Sequence, residues 1–170
     1  MAATYPRLVK LGSTPRQLIK NSKPLRQMMA GHHLEVRFEN VVRIAKAIMN
    51  DHAGIMPSKK EALLQLPGVG EYAVSAVECF GHGRQTVLMD ANTERIAARV
   101  VGRHGSTPLW QKRFDLYKLA GPTGADRAFN HGLMDLGSRV CIASGPHCPT
   151  CPVNGQCATF ASRSRPAREK

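Results

Sequence analysis

Acidic residues are scarce in this chain. Asp and Glu number 12 against 24 Lys and Arg, so its 170 residues carry a formal net charge of +12 with histidine neutral. Aromatics are scarce too, at 5% with a single Trp. No segment approaches the ~18–20 consecutive apolar residues of a membrane span. Residues 1–6 (MAATYP) show neither the charged head nor the apolar run of a signal peptide. No segment alternates apolar and polar residues for long, which argues against strands. There is no internal repeat and no low-complexity tract. These absences predict a cytoplasmic, nucleoid-associated protein with no membrane partner and an all-α fold. What is abundant is positive charge, and a polyanion such as nucleic acid is the partner it points to.

The helices are legible from caps and spacing. Ser13-Thr14-Pro15 reads as a capped helix start with Pro15 in the first turn. Apolar residues over 38–49 (Val41, Val42, Ile44, Ala45, Ile48, Met49) fall at helical spacing. Ser58 with Glu61 predicts a capping box for a helix over 59–66. Helices are also expected over 71–80, 91–101, 108–119 and 126–140, the last despite Gly132.

Three local features carry chemistry. The first is Leu66-Pro67-Gly68-Val69-Gly70 between two helices. Pro67 stops the first helix, and the glycines permit left-handed backbone and close approach. Backbone N–H groups then face outward at a helix start, where an anion such as DNA phosphate is stabilised. Alone, such a segment is more often an ordinary turn. The second is Asp90, which follows the apolar run Val87-Leu88-Met89 and precedes the helix over 91–101. It reads as an N-cap, or as a carboxylate held ionised to steady a cationic sugar or orient a water. Asn92 is placed to assist the cap. Arg95 and Arg99, four residues apart, share a face and are candidates to meet phosphate, with Arg103 just beyond.

The third feature is Cys141, Cys148, Cys151 and Cys157, spaced C-x6-C-x2-C-x5-C among Pro and Gly. Two disulfides suit a secreted chain and are not expected without a secretory signal. Four thiolates on a short loop suit zinc or a [4Fe–4S] cluster, and one central CxxC with two outlying cysteines puts iron–sulfur modestly ahead. Cys79, in an apolar helical run, reads as a buried structural cysteine.

Taken together in this order, residues 66–70, Met89-Asp90-Ala91-Asn92 and the cysteine loop 141–157 resemble the helix–hairpin–helix DNA glycosylase superfamily, on the branch of endonuclease III and the adenine glycosylase MutY. The resemblance spans roughly residues 34–157. It implies an all-α glycosylase fold with a C-terminal cluster loop. The expected organisation is a helical domain over 1–137, shortened at its N-terminus, a [4Fe–4S] loop over 138–160 held by the four cysteines, and a basic tail over 161–170. It makes Leu66, Gly68, Val69 and Gly70, with Arg95, DNA-binding positions. It makes Leu34 the position of an apolar wedge, with His32 and His33 beside it, and Asp90 the catalytic carboxylate.

Bifunctional relatives place a nucleophilic Lys two residues after the second hairpin Gly. Tyr72 stands there, so the resemblance implies a monofunctional glycosylase that uses water. Tyr72 with the Asp-Ala-Asn sequence is most like thymine-DNA mismatch glycosylases, which remove T or U opposite G. Tyr72 is expected to stack on or bond to the flipped base. The alternatives are an adenine glycosylase acting on A mispairs, a glycosylase-lyase with another nucleophile, and an inactive iron–sulfur DNA-binding module. The expected partner is double-stranded DNA with a mismatched or damaged base, bound by a monomer that needs a partner if the N-terminal helices are absent.

Overall fold

The computed structural model describes residues 5–30, 34–103 and 107–163, which fall into two compact units, Met1–Val74 and Ser75–Lys170. Among the described residues there is no strand, and ten α-helices account for most of the chain. No helix among them is long and apolar enough to cross a membrane.

The first unit is built on the longest helix. Helices α1 (Tyr5–Gly12), α2 (Pro15–Lys20) and α3 (Ser22–Ala30) precede α4 (Glu35–Asp51), against which α2 and α3 pack. The expected start of α2 is present. Thr14 Oγ1 accepts from Gln17 N at 3.2 Å, and Pro15 occupies the first turn, where its missing N–H costs nothing. Asn21 Nδ2 donates to Leu11 O at 2.7 Å and ties α2 back to α1. Along α4, Phe38, Ala45 and Ile48 are buried, so the apolar stripe over 38–49 is core packing. Val41 of that stripe is exposed. The unit continues through the short α5 (Lys60–Leu64) into the start of α6 (Glu71–Ala76). Helix α5 starts one residue later than Ser58 predicts. Lys59 holds the cap position without a side-chain cap bond of its own.

The second unit is organised around α7 (Ala91–Val101). Its inward residues Thr93, Ile96, Ala97 and Val100 fall at i, i+3, i+4 and i+7, one face of a helix. Helix α8 (Leu109–Ala120), α9 (Arg127–Asp135) and α10 (Ala158–Arg163) pack against it. Gly102 ends α7 in the left-handed region at φ 76°, and an added Cβ would lie 2.8 Å from Ala158 Cβ, so this stop also seats α10. The core joins Val87 and Met89 to Ile96, Val100, Leu116 and Leu133.

Two helices end in a single wide turn of π type. α6 runs on into Val77–Gly81 and α9 into Leu136–Val140. Residues 161–163, expected in a basic tail, belong to α10, while residues 164–170 lie outside the described residues.

Candidate functional site: a capped carboxylate, a glycine hairpin and a four-cysteine pocket

In the first unit the break between α5 and α6 has the expected form. Leu66 is buried and anchors the segment, and Val69 N donates to Leu66 O at 3.1 Å. Gly68 adopts φ 73°, a conformation that would strain any residue with a Cβ. Gly70 is not left-handed, so only the first glycine is required by its backbone angle. Gly68 and Gly70 are exposed, Val69 is half-buried, and Gly70 O accepts from Val74 N at 3.0 Å to start α6. Lys60 and Glu71 bridge the segment at 2.8 Å. Tyr72 projects from α6 with 42% of its surface exposed. Leu34 caps α4 and is half-buried, its N–H donating to Met29 O at 3.3 Å; His32 and His33 lie outside the described residues.

In the second unit Asp90 is the N-cap of α7. Its Oδ1 accepts from Asn92 N at 2.9 Å and Thr93 N at 2.8 Å. Thr93 Oγ1 reciprocates by accepting from Asp90 N at 2.8 Å. Its Oδ2 takes one long contact, 3.5 Å, from Asn92 Nδ2. One carboxylate oxygen is therefore locked and the other has spare accepting capacity.

Arg95 and Arg99 leave α7 on one face, as expected, and both are engaged inside the unit. Arg95 Nε donates to Cys141 O at 2.9 Å, and its Nη2 donates to Gly137 O at 2.8 Å and Asn92 Oδ1 at 2.9 Å. Arg99 donates to Ile142 O at 2.7 Å, Ala143 O at 2.9 Å and, at 3.5 Å, to Cys141 Sγ. These arginines grip the chain where the cysteine loop begins. Arg103 pairs with buried Asp115 at 2.5 Å.

Cys141, Cys148, Cys151 and Cys157 line one pocket, walled by Val100, Leu136 and Val140, with Arg99 at its margin. All are free thiols, and Cys157 Sγ donates to Arg99 O at 3.4 Å. No His, Asp or Glu lines this pocket. Among the described residues no three potential ligands are set in metal-holding positions. The four sulfurs are thus gathered without being closed into a ligand set. Cys79 is fully buried, as expected of a structural cysteine, and burial pushes its thiol pKa up, partly offset by a bond from Asn130.

Asn130 escaped the sequence reading. It is fully buried on α9. Its Oδ1 accepts from Leu88 N at 2.9 Å, and its Nδ2 donates to Thr86 O and Asp126 O at 2.8 Å each. It lies three residues before Leu133 on the inward stripe of α9, and no local motif marks it.

No family model matches the chain. It is 32% identical over 130 residues to a thymine/uracil-DNA glycosylase of Methanothermobacter thermautotrophicus, covering 73% of this chain and 57% of that protein. It is 34% identical over 133 residues to a thymine-DNA glycosylase of Aeropyrum pernix, covering 73% and 58%. An adenine DNA glycosylase of Mycobacterium tuberculosis is 34% identical over 121 residues, covering 69% and 40%. The chain thus spans a little over half the length of the two thymine glycosylases. Among solved structures, a thermostable thymine-DNA glycosylase superposes with TM-score 0.78 at 26% identity, covering 93% of this chain and 75% of that one. A non-covalent endonuclease III–DNA complex gives TM-score 0.76 at 23% identity, covering 96% and 77%. The all-helical fold is the one these glycosylases share. By that fold and by homology with the thymine/uracil and adenine enzymes, the chain belongs to the helix–hairpin–helix DNA glycosylase superfamily.

Proposed function

We propose that this chain is a monofunctional base-excision-repair glycosylase that hydrolyses the N-glycosidic bond of T or U mispaired with G in double-stranded DNA. The observation that carries the reading is Asp90: a carboxylate fixed by one oxygen at the start of α7, with the other oxygen left to act, in a chain whose relatives are named thymine-DNA glycosylases. Residues 66–70 and the +12 charge are the means of gripping phosphates. The mispaired nucleotide leaves the stack, since an unpaired base costs least to extrude. The glycosidic bond breaks with its electron pair going to the base, and the sugar becomes oxocarbenium-like. Asp90 stabilises that cation and takes a proton from the water that adds to the sugar carbon. Tyr72, exposed on α6, is assigned to the flipped base, and Leu34 to the gap it leaves. Because Tyr72 holds the position of a nucleophilic Lys, no Schiff base forms there and the strand is left intact. The protein acts as a monomer.

The donor chemistry of the four-cysteine pocket fits a [4Fe–4S] cluster: four thiols, with no His, Asp or Glu beside them. Cys141, Cys148, Cys151 and Cys157 would hold it. When bound, such a cluster cross-links the loop through iron–thiolate bonds and holds Arg139 and His147 in a basic surface. The role of Arg95 is then to seat that loop on α7 rather than to reach phosphate itself, because its guanidinium is engaged by Cys141 O, Gly137 O and Asn92 Oδ1.

Single-turnover assays on duplexes carrying T·G, U·G and A·G mispairs test the reading. The expected result is base release from T·G and U·G, with strand breaks only after alkali. Release confined to A·G would move the chain to the adenine branch, which its 34% identity to an adenine glycosylase keeps in view. Breaks without alkali would contradict the monofunctional reading.

A further inference from the structure

Residues 86–88 lie in a stretch without regular secondary structure that delivers the chain to Asp90, and among the described residues there is no strand for its backbone to pair with. Its polar groups must nonetheless be satisfied, because Thr86 and Leu88 are buried. Asn130 supplies the missing edge. One amide side chain accepts from Leu88 N at 2.9 Å and donates to Thr86 O at 2.8 Å, the two bonds a neighbouring strand would make. Thr86 N completes the pairing by donating to Ala125 O at 3.0 Å. The remaining donor capacity of Asn130 goes to Asp126 O at 2.8 Å and, more weakly, to Ala125 O at 3.3 Å and Cys79 Sγ at 3.4 Å. Its orientation is therefore over-determined: every acceptor around Nδ2 is a carbonyl or a sulfur, and the single donor is Leu88 N. A reversed amide would face four acceptors with an oxygen.

We infer that Asn130 is a positioning residue for Asp90, setting the backbone path that fixes where the carboxylate stands. The inference rests on the assignment of Asp90 as the catalytic group. The chain from Asn130 to Asp90 is short. Leu88 is held by its N–H, Met89 is buried in the core, and Asp90 is locked by α7. Releasing the first hold leaves the approach to the cap free to shift while α7 keeps its own fold. Displacement of a catalytic group by roughly 1 Å costs about 100-fold in rate.

The test is Asn130→Asp, which keeps size but replaces the donor by an oxygen, so that repulsion from the carbonyls loosens the side chain's hold on the whole segment, Leu88 N included. At neutral pH the ionised carboxylate faces the carbonyls of Thr86, Ala125 and Asp126. Burial and those acceptors raise its pKa, so the neutral, donating form returns as pH falls. The ionisable groups nearest it are the Cys79 thiol on the Val77–Gly81 turn, the Asp126 carboxylate that caps α9, and Arg127, whose Nε donates to Cys79 O; His131, next on α9, is exposed and meets the Phe80 ring instead. None of these supplies a donor to Thr86 O. Single-turnover rate and duplex affinity are measured for variant and parent from pH 5 to 8, with amide exchange at Leu88.

Expected is a rate about 100-fold down at pH 8 with affinity unchanged, a variant-to-parent ratio that recovers as pH falls, and faster exchange at Leu88. A ratio flat in pH, or a rate and an affinity that fall together, would overturn the inference. If Asn130→Asp does not fold, Asn130→Ser, which offers one donor and one acceptor, serves in its place. It must lower the rate without lowering affinity. Failure of the parent to release any base is a separate outcome that contradicts the glycosylase reading. Leu88 exchange then still reports whether Asn130 holds the segment.

Discussion

Asp90 is held by one oxygen, and that division explains why a cap is a suitable place for a catalytic carboxylate. The two N–H bonds to Oδ1 fix the group without using Oδ2. Gly137 shows how tightly the surroundings are fitted. A Cβ there would sit 2.7 Å from Asn92 Cβ, next to the cap. Gly137→Ala is expected to destabilise by about 1–3 kcal/mol in urea titrations and to reduce base release. Cys79 gives a pH signature. Burial raises its thiol above the ordinary 9.0, so the unfolded thiol ionises first and stability falls as pH rises past that value. In Cys79→Ala this part of the alkaline loss is expected to vanish, as measured by denaturant titration from pH 7 to 10. Asp90 was legible in the sequence because a cap has a local signature. Asn130 was not, because its partners lie up to 51 residues away and a lone Asn in a helix carries no motif.

At the scale of elements, the arginines of α7 and the loop they grip form one assembly. Arg99 alone makes two short bonds to loop carbonyls, and its own carbonyl accepts from Cys157 Sγ and Thr159 Oγ1. Replacing it by Ala is expected to cost about 1.5–3 kcal/mol, the range for charge-assisted bonds, read as a lower urea midpoint. Cys148→Ser tests the cluster reading, with loss of brown colour and of bound iron expected. A colourless parent with stoichiometric zinc would contradict it. Gly132 in α9 is exposed, with open space around an added Cβ. Gly132→Ala is expected to stabilise by about 0.5–1 kcal/mol, seen as a raised Tm. Helix limits were legible where side chains cap, as at Thr14 and Asp90. They were missed where no side chain caps the start, as at Lys59 and in the wide turns Val77–Gly81 and Leu136–Val140.

At the scale of the whole molecule, charge and the division of the chain matter most. A net charge of +12 predicts binding that weakens steeply with salt. The log–log slope should grow by about 0.9 for each phosphate neutralised, and filter binding across a salt series measures it. The fold class followed from composition and periodicity. The division at Val74 and Ser75 did not, because it falls inside α6, where the sequence pattern is continuous. The hairpin positions and Asp90 therefore belong to different compact units, and their shared function is tested by chemistry.

Asp90→Asn is that test. Asn caps a helix about as well as Asp, so α7 and the fold should survive the substitution. With T·G duplex in single turnover, the expected result is unchanged duplex affinity and loss of base release. Base release at the parent rate from a variant that binds as tightly would show that Asp90 is not the catalytic group.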